Sequence, residues 1–200
     1  MEAPASLHLA AIFAVGARAL EPAPLVMLGL WQVHYVHRTF VFPFRMRATG
    51  KRMPVSIPLL GAGFNALNSY VNARWVSHFG SYPEAWLGDP RFFAGVALFV
   101  AGMAINVHSD SVLFRLRRPG ETGYRIPRGG LYRWVSSPNY LGEILEWVGW
   151  ALLSWSFAGV AFAVYTAANL APRALANHRW HRETFPDYPP ERRALVPFVL

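Results

Sequence analysis

Residues 92–107 read FFAGVALFVAGMAINV, an apolar run whose one strongly polar residue, Asn106, lies close to its end. Such a run is typical of a helix in a membrane, although it falls short of the ~20 residues that a perpendicular span needs. Gly95 and Gly102 would allow the backbone of a neighbouring helix to come close, and Gly61, Ala62 and Gly63 would allow the same in the apolar segment 55–76. The run therefore predicts a membrane helix that packs tightly against another helix.

Five further apolar segments surround this run, at 7–20, 23–42, 55–76, 140–155 and 157–170. Hydrophobic residues make up 54% of the chain and charged residues only 15%, whereas a soluble domain usually carries about a quarter charged residues. No repeat, linker or low-complexity tract divides the segments. The sequence therefore predicts an all-α fold, a polytopic transmembrane bundle of about six spans that forms a single domain over residues 1–200.

The connections between these segments differ sharply in charge. The connections 45–52 and 109–133 and the tail after Leu170 are rich in arginine, whereas the connection 78–90 holds Glu84 and Asp89 and no lysine or arginine. Basic loops of membrane proteins stay in the cytoplasm. The pattern thus predicts a multi-pass integral membrane protein whose basic loops and C-terminus are cytoplasmic, and six alternating spans satisfy it without conflict.

The composition also excludes several classes of protein. The formal net charge is +8, but the arginines are separated by long apolar segments, which does not favour binding to nucleic acid. The absence of cysteine excludes disulfides and thiolate chemistry. The pairs His34/His37 and His178/His181 are too few for a histidine-rich iron centre, so no metal site is predicted. Of the 19 basic residues only Lys51 is a lysine, and guanidinium groups bind phosphates in a bidentate manner.

Polar residues inside the apolar segments form three clusters, and intramembrane polar groups are costly enough to suggest a function. They are His34, His37 and Arg38; Asn106 and Asp110; and Asn139, Glu143 and Glu146. The spacing places each set on one helical face. One interpretation is that arginines pair with these groups and lock the helices together. The other, which we favour, is a polar cavity for a nucleotide, whose phosphates need arginines and whose ribose hydroxyls need carboxylates and amides.

The order and spacing of short motifs resembles the steroid 5α-reductase family (3-oxo-5α-steroid 4-dehydrogenases). The resemblance is dense over 89–200 and looser back to HYVHRTF at 34–40. Its motifs are GMAINVHSD at 102–110, LRRPGE at 116–121, YRIP at 124–127, GGL at 129–131, NYLGEILEW at 139–147, FPDYP at 185–189, Arg192 and ALVP at 194–197.

The resemblance implies NADPH as cofactor and reduction of the Δ4 double bond of a 3-oxosteroid, or of a related apolar enone. Hydride would add to the β-carbon while Tyr35, oriented by Glu2, polarises the 3-oxo group. It implies contact with membrane lipid and no obligate protein partner, and it leaves the family's first span missing from this sequence. It assigns cofactor binding to Lys51, Arg52, Asn106, Asp110, Arg117, Tyr124, Asn139, Glu143, Arg173, His178, His181 and Arg192.

The sequence departs from the family pattern at three positions: His181 stands where a tyrosine is expected, Phe114 where a basic residue is common, and Met1 where glutamine is expected. Two other functions stay open. A membrane methyltransferase of the isoprenylcysteine type would bind S-adenosylmethionine, and a non-catalytic membrane scaffold would bind neither cofactor.

Overall fold

The computed structural model describes residues 3–45, 54–116 and 123–200. Over these ranges the chain is helical and contains no β-strand, so the predicted all-α class is confirmed. The helices are α1 (Ala3–Ala14), α2 (Pro22–Val36), α3 (Phe42–Arg45), α4 (Ser56–Arg74), α5 (Pro90–Arg115), α6 (Pro138–Ser154) and α7 (Phe157–Thr184). Two π-helical turns, His37–Val41 and Trp75–Phe79, continue α2 and α4, and 3-10 turns lie at Glu84–Gly88 and Gly130–Arg133.

Each of the six apolar segments coincides with a helix, but three helix ends differ from the prediction. Helix α1 stops at Ala14, and just beyond it the chain passes so close to Ser77 that a Cβ on Gly16 would clash with the Ser77 carbonyl oxygen. Helix α5 continues to Arg115 and α7 to Thr184. In α7 the alanines, Leu175 and the arginines after Leu170 favour helix, and Pro172 does not end it. In α5 the helix continues through His108, Ser109 and Asp110, so the end of an apolar segment does not mark the end of the helix.

One helix in the described part of the chain, α5, is both long and apolar enough to cross a membrane, with a mean hydropathy of 1.7 over its most apolar 18-residue window. Helix α1 is apolar but shorter. The number of spans therefore stays a prediction.

The first of two compact units comprises Met1–Ala94 and Ala151–Phe162. In it α1 packs against α4 and α2, and Leu9, Phe13, Met27 and Trp31 are buried. The Trp31 indole donates a hydrogen bond to the Ala5 carbonyl oxygen at 3.0 Å. This bond ties α2 to α1 and fixes the face of α2 that carries Tyr35.

The second unit comprises Gly95–Trp150 and Ala163–Leu200, and in it α5 and α6 touch backbone to backbone. A Cβ on Gly102 would lie 2.5 Å from the Gly142 carbonyl oxygen, and one on Gly149 would lie 2.6 Å from that of Gly95. The predicted close packing at Gly95 and Gly102 is thus confirmed. The same packing, predicted at Gly63 of α4, is not found: among the described residues, nothing other than the backbone of α4 itself lies within 4 Å of a Cβ built there.

The C-terminal tail pairs with the segment before α6. Val135 and Arg193 form a parallel bridge, and the Ser136 and Ser137 amides donate to the Arg193 and Ala194 carbonyl oxygens at 2.8 and 3.1 Å. The Arg193 amide donates in turn to the Trp134 carbonyl oxygen at 2.9 Å. These bonds hold Arg192 inside the second unit.

Candidate active site

An amide and carboxylate network joins α5 to the first turn of α6. The Asn106 carboxamide donates to the Asn139 carbonyl oxygen at 3.0 Å, and the Asn139 carboxamide donates to Asp110 at 3.2 Å. Asn106 and Asp110 are buried, as expected for neighbours one helical turn apart on a face that meets another helix. The structure thus brings together three of the side chains that the sequence marked as cofactor-binding.

The carboxylates of α6 extend this polar face. Glu143, one turn after Asn139, is half-buried and Glu146 is fully buried. Both interact with other groups of the protein. The predicted stripe of one amide and two carboxylates is therefore an inward face of a packed helix, where a charged group needs a partner.

Two further polar side chains in this unit are buried with hydrogen-bonding capacity left over. Among the residues that the structure describes, the Tyr132 hydroxyl and the Arg192 Nε and Nη1 atoms have no hydrogen-bond partner. Tyr132 is 1% exposed and Arg192 is 4% exposed. Buried donors are almost always satisfied, so an acceptor oxygen from water or from a ligand would complete the hydrogen bonding of these atoms.

The pKa of the Tyr132 hydroxyl depends on its burial and on nearby charges. Burial, followed by the negative charge of Asp110, raises the pKa of Tyr132, while the Arg192 guanidinium opposes the rise. The Arg192 guanidinium itself lies 5.2 Å above the centre of the Tyr188 ring. A buried phenol that keeps its proton is a hydrogen-bond donor at neutral pH, and Arg192 is a permanent cation.

A cleft of about 480 Å³, here called the arginine cleft, opens next to Arg192. One of its lining residues, Gly130, has φ of +52°, and a Cβ there would lie 2.6 Å from His108 Nε2. Any other residue at this position would be strained by the positive φ and would clash with His108. The cleft is lined by Arg128, Gly129, Gly130, Arg133, Trp134, Pro189, Glu191 and Arg192.

The two C-terminal histidines of α7 have different partners. His178 Nδ1 lies 2.6 Å from the Ser136 hydroxyl, which also lies 2.7 Å from the Tyr188 hydroxyl. His181 Nδ1 donates to the Asn177 carbonyl oxygen at 2.7 Å, and its ring packs on Tyr188 with 5.3 Å between centroids. Through Ser136 and Tyr188, both histidines border the segment that holds Arg192.

This arrangement predicts a pH-dependent stability. Burial, and then the nearby charges of Arg182, His181 and Arg193, lowers the pKa of His178 below its ordinary value of 6.5. As the pH falls, the unfolded chain takes up this proton before the folded one, so the stabilisation present above pH 6.5 is lost below it. We expect the melting temperature to fall between pH 7.5 and 5.5 and the His178→Asn variant to show a shallower fall. An identical slope in both proteins would contradict this.

The remaining predicted cofactor residues are more scattered. Arg173 is exposed on α7, and Tyr124 is 55% exposed with its ring edge against Trp180, 4.8 Å between centroids. Both lie on the surface of the second unit rather than in its buried network. Glu2, Lys51, Arg52 and Arg117 lie outside the described residues.

Tyr35, the predicted catalytic tyrosine, belongs to the first unit and is 2% exposed. Its ring lies 5.0 Å from Trp31 and meets His34 edge-on at 4.8 Å. Trp31 in turn lies 5.7 Å from Phe162. Trp31 and His34 therefore pack against the Tyr35 ring, which bulk water hardly reaches.

Sequence reasoning missed several polar residues. On α4 the side chains of Asn65, Asn68, Ser69 and Asn72 are buried, and Ser69 lies 2.8 Å from His8. Their spacing of three, four and seven residues inside an apolar segment was the available signal. Arg128 and Arg133 were marked only as members of the arginine-rich connection 109–133, and Tyr132 was not marked. Nothing in a glycine-rich connection shows which side chain becomes buried or lines a cleft.

Comparison with known proteins agrees with these observations. Residues 51–200 match the family model for 3-oxo-5-alpha-steroid 4-dehydrogenase. The chain is 49% identical over 175 residues to 3-oxo-5-alpha-steroid 4-dehydrogenase 1 of Bos taurus, covering 88% of this chain and 68% of that protein. It is 45% identical over 202 residues to steroid 5-alpha-reductase DET2 of Solanum lycopersicum, covering 100% and 78%. The chain therefore belongs to the 3-oxo-5-alpha-steroid 4-dehydrogenase family of oxidoreductases.

Proposed function

We propose that this protein reduces the Δ4 double bond of 3-oxosteroids, or of a related enone lipid, to the 5α-reduced product with NADPH. The observation that carries the proposal is the group of buried, unfilled donors of Arg192 and Tyr132 beside the Asn106–Asp110–Asn139 network. Relatives at 45–49% identity are named for this reaction. The family match does not favour an S-adenosylmethionine-dependent methyltransferase or a scaffold.

The residues of the second unit suit a nicotinamide dinucleotide phosphate. The unfilled donors of Arg192 and Tyr132 match phosphate and ribose oxygens, and Asp110 and Glu143 are acceptors for ribose hydroxyls. When bound, NADPH would supply the hydride that adds to C5 of the enone. We propose that these residues hold it together with Asn106 and Asn139, and with Lys51, Arg52, Arg117, Tyr124, Arg173, His178 and His181.

For the chemistry of the substrate we propose that Tyr35 donates a hydrogen bond to the 3-oxo oxygen. As hydride adds at C5, negative charge develops on that oxygen, and a proton then adds at C4. A fixed donor in a water-poor site stabilises this charge more than water does. The burial of Tyr35 supports this role, and we propose that Glu2 orients the hydroxyl.

We also propose that residues 1–200 act as one catalytic domain with six membrane spans, with the basic connections and the C-terminus in the cytoplasm. The apolar helix α5 and the many exposed large apolar side chains, such as Leu60, Phe93, Phe157 and Val164, support a lipid environment. A sterol-sized substrate would then enter from the bilayer.

The first test of this function is cofactor binding by an Asp110→Asn variant. The change keeps the size of the side chain and removes a charged acceptor, so we expect NADPH affinity to fall about 10- to 100-fold, measured by titration of purified protein. Glu183→Gln, an exposed carboxylate at the end of α7, is the matched control and should bind normally. A lower melting temperature with unchanged NADPH affinity would mean that Asp110 serves only packing.

The second test is NADPH oxidation by the wild-type protein across Δ4-3-oxosteroids and linear enones. Turnover of a steroid enone with formation of the 5α product is the expected result. Retention of S-adenosylmethionine, or of neither cofactor, would contradict the proposed function.

A further inference from the structure

We propose that Arg128 and Arg133 join Arg192 in binding the 2′-phosphate of the cofactor, so that the arginine cleft selects NADPH over NADH. This inference rests on the proposed function and adds to it the residues that read the phosphate. Neither Arg128 nor Arg133 was marked by the sequence motifs.

The charge of the cleft is the first argument. Three guanidinium groups and a single carboxylate, that of Glu191, line a space of about 480 Å³. Among the described residues neither Arg128 nor Arg133 forms an ion pair. Like charges brought together around an open space repel each other unless an anion occupies it, and a phosphate dianion accepts bidentate bonds from several guanidinium groups.

The burial of Arg192 is the second argument. Arg192 is 4% exposed, and its Nε and Nη1 atoms have no hydrogen-bond partner in the described ranges. This residue, which lines the cleft, therefore has two donors that could bind an acceptor. The bridge between Val135 and Arg193 fixes the backbone next to Arg192, and the Arg192 guanidinium lies 5.2 Å above the centre of the Tyr188 ring. Arg192 therefore provides a fixed anchor, and the exposed Arg128 and Arg133 can close on the same phosphate from the surface.

The position of the cleft is the third argument. Gly130 lines the cleft, and a Cβ on it would lie 2.6 Å from Nε2 of His108, which stands two residues before Asp110 on α5. Arg133, which lines the cleft as well, belongs to the same short turn, Gly130–Arg133. The cleft therefore adjoins the network assigned to the ribose. One dinucleotide can contact both, with its hydroxyls at Asp110 and its phosphate among the arginines.

The test compares NADPH and NADH binding to the full-length protein in nanodiscs of neutral lipid. The variants are Arg128→Gln, Arg133→Gln and the double variant. We expect the double variant to lose about 10- to 100-fold in NADPH affinity, since charge-assisted bonds to phosphate are strong, and to keep its NADH affinity. The double variant Arg179→Gln/Arg182→Gln, which removes two exposed arginines of α7 that do not line the cleft, is the matched control and should keep the wild-type preference.

Four outcomes separate the possibilities. Loss of the preference for NADPH in the cleft variants alone supports the proposal. An unchanged preference in those variants overturns it while leaving the proposed function intact. Failure of the wild-type protein to bind NADPH overturns both. If the variants keep the preference but lose binding to vesicles with an anionic phospholipid, the cleft reads a lipid phosphate and the proposal is wrong.

Discussion

The Tyr35→Phe variant should bind NADPH normally and reduce a 3-oxo-Δ4 steroid about 100- to 1000-fold more slowly than the wild type. The change removes the hydroxyl and keeps the ring, so the contacts with Trp31 and His34 at 5.0 and 4.8 Å should survive. The loss should fall on kcat, because the hydrogen bond strengthens only as charge develops on the 3-oxo oxygen. Single-turnover measurement with saturating NADPH checks this.

Glu2 gives a second measurement of the same step. If Glu2 orients the Tyr35 hydroxyl, Glu2→Gln should also lower kcat, and the double variant should lose less than the sum of the two single losses. Near-normal turnover of Tyr35→Phe with cofactor bound would contradict the proposed role. The polarising group would then have to be sought at His34 or His181.

The Gly142→Ala variant should lower the stability of the second unit by about 3 kcal/mol, or the apparent melting temperature by roughly 6–12 °C. A Cβ at this position would lie 2.6 Å from the Gly102 carbonyl oxygen and 2.6 Å from the Asn106 amide nitrogen. Backbone atoms of two packed helices cannot rotate away as a side chain can. The two helices must separate, which would also strain the Asn106–Asn139 hydrogen bond and weaken NADPH binding.

Gly63→Ala is the matched control for this variant. It makes the same substitution inside an apolar helix, at a position with no atom within 4 Å, so it should leave the melting temperature unchanged or slightly raised. Equal effects of the two substitutions, measured by thermal denaturation of the purified protein, would show that the backbone contact of α5 and α6 contributes little.

Much of the helical framework was predictable, because continuous apolar segments in a chain with few charges leave few alternatives to helix. The positions of Gly95 and Gly102 likewise predicted a close helix contact, which the structure shows at Gly142 and Gly149. The helix ends were not predictable from hydrophobicity. The residues after Leu170 mix alanine and leucine with polar side chains and include Pro172, yet α7 continues to Thr184 and carries His178 and His181 with it.

Within the candidate site, the sequence distinguished residues whose roles follow from local spacing. Asn106 and Asp110 are one turn apart on a helix, so the sequence alone places them on one face. Their hydrogen bonds with Asn139 need only the packing of α6 on α5. Arg192 and the family motifs around it were marked by resemblance alone. The spacing of residues around Arg192 did not predict that its side chain is buried.

By itself the amino-acid sequence determined the helical class, the glycine contact, the polar faces of α5 and α6 and the family, because each of these depends on neighbours within a few turns or on ordered motifs. Only the tertiary structure decided that Tyr132 and Arg192 are buried with donors to spare and that Arg128 and Arg133 line the same cleft. That outcome depends on the C-terminal tail pairing with the segment at 134–137. Burial at such a distance along the chain is a property of the packed molecule, and no local pattern encodes it.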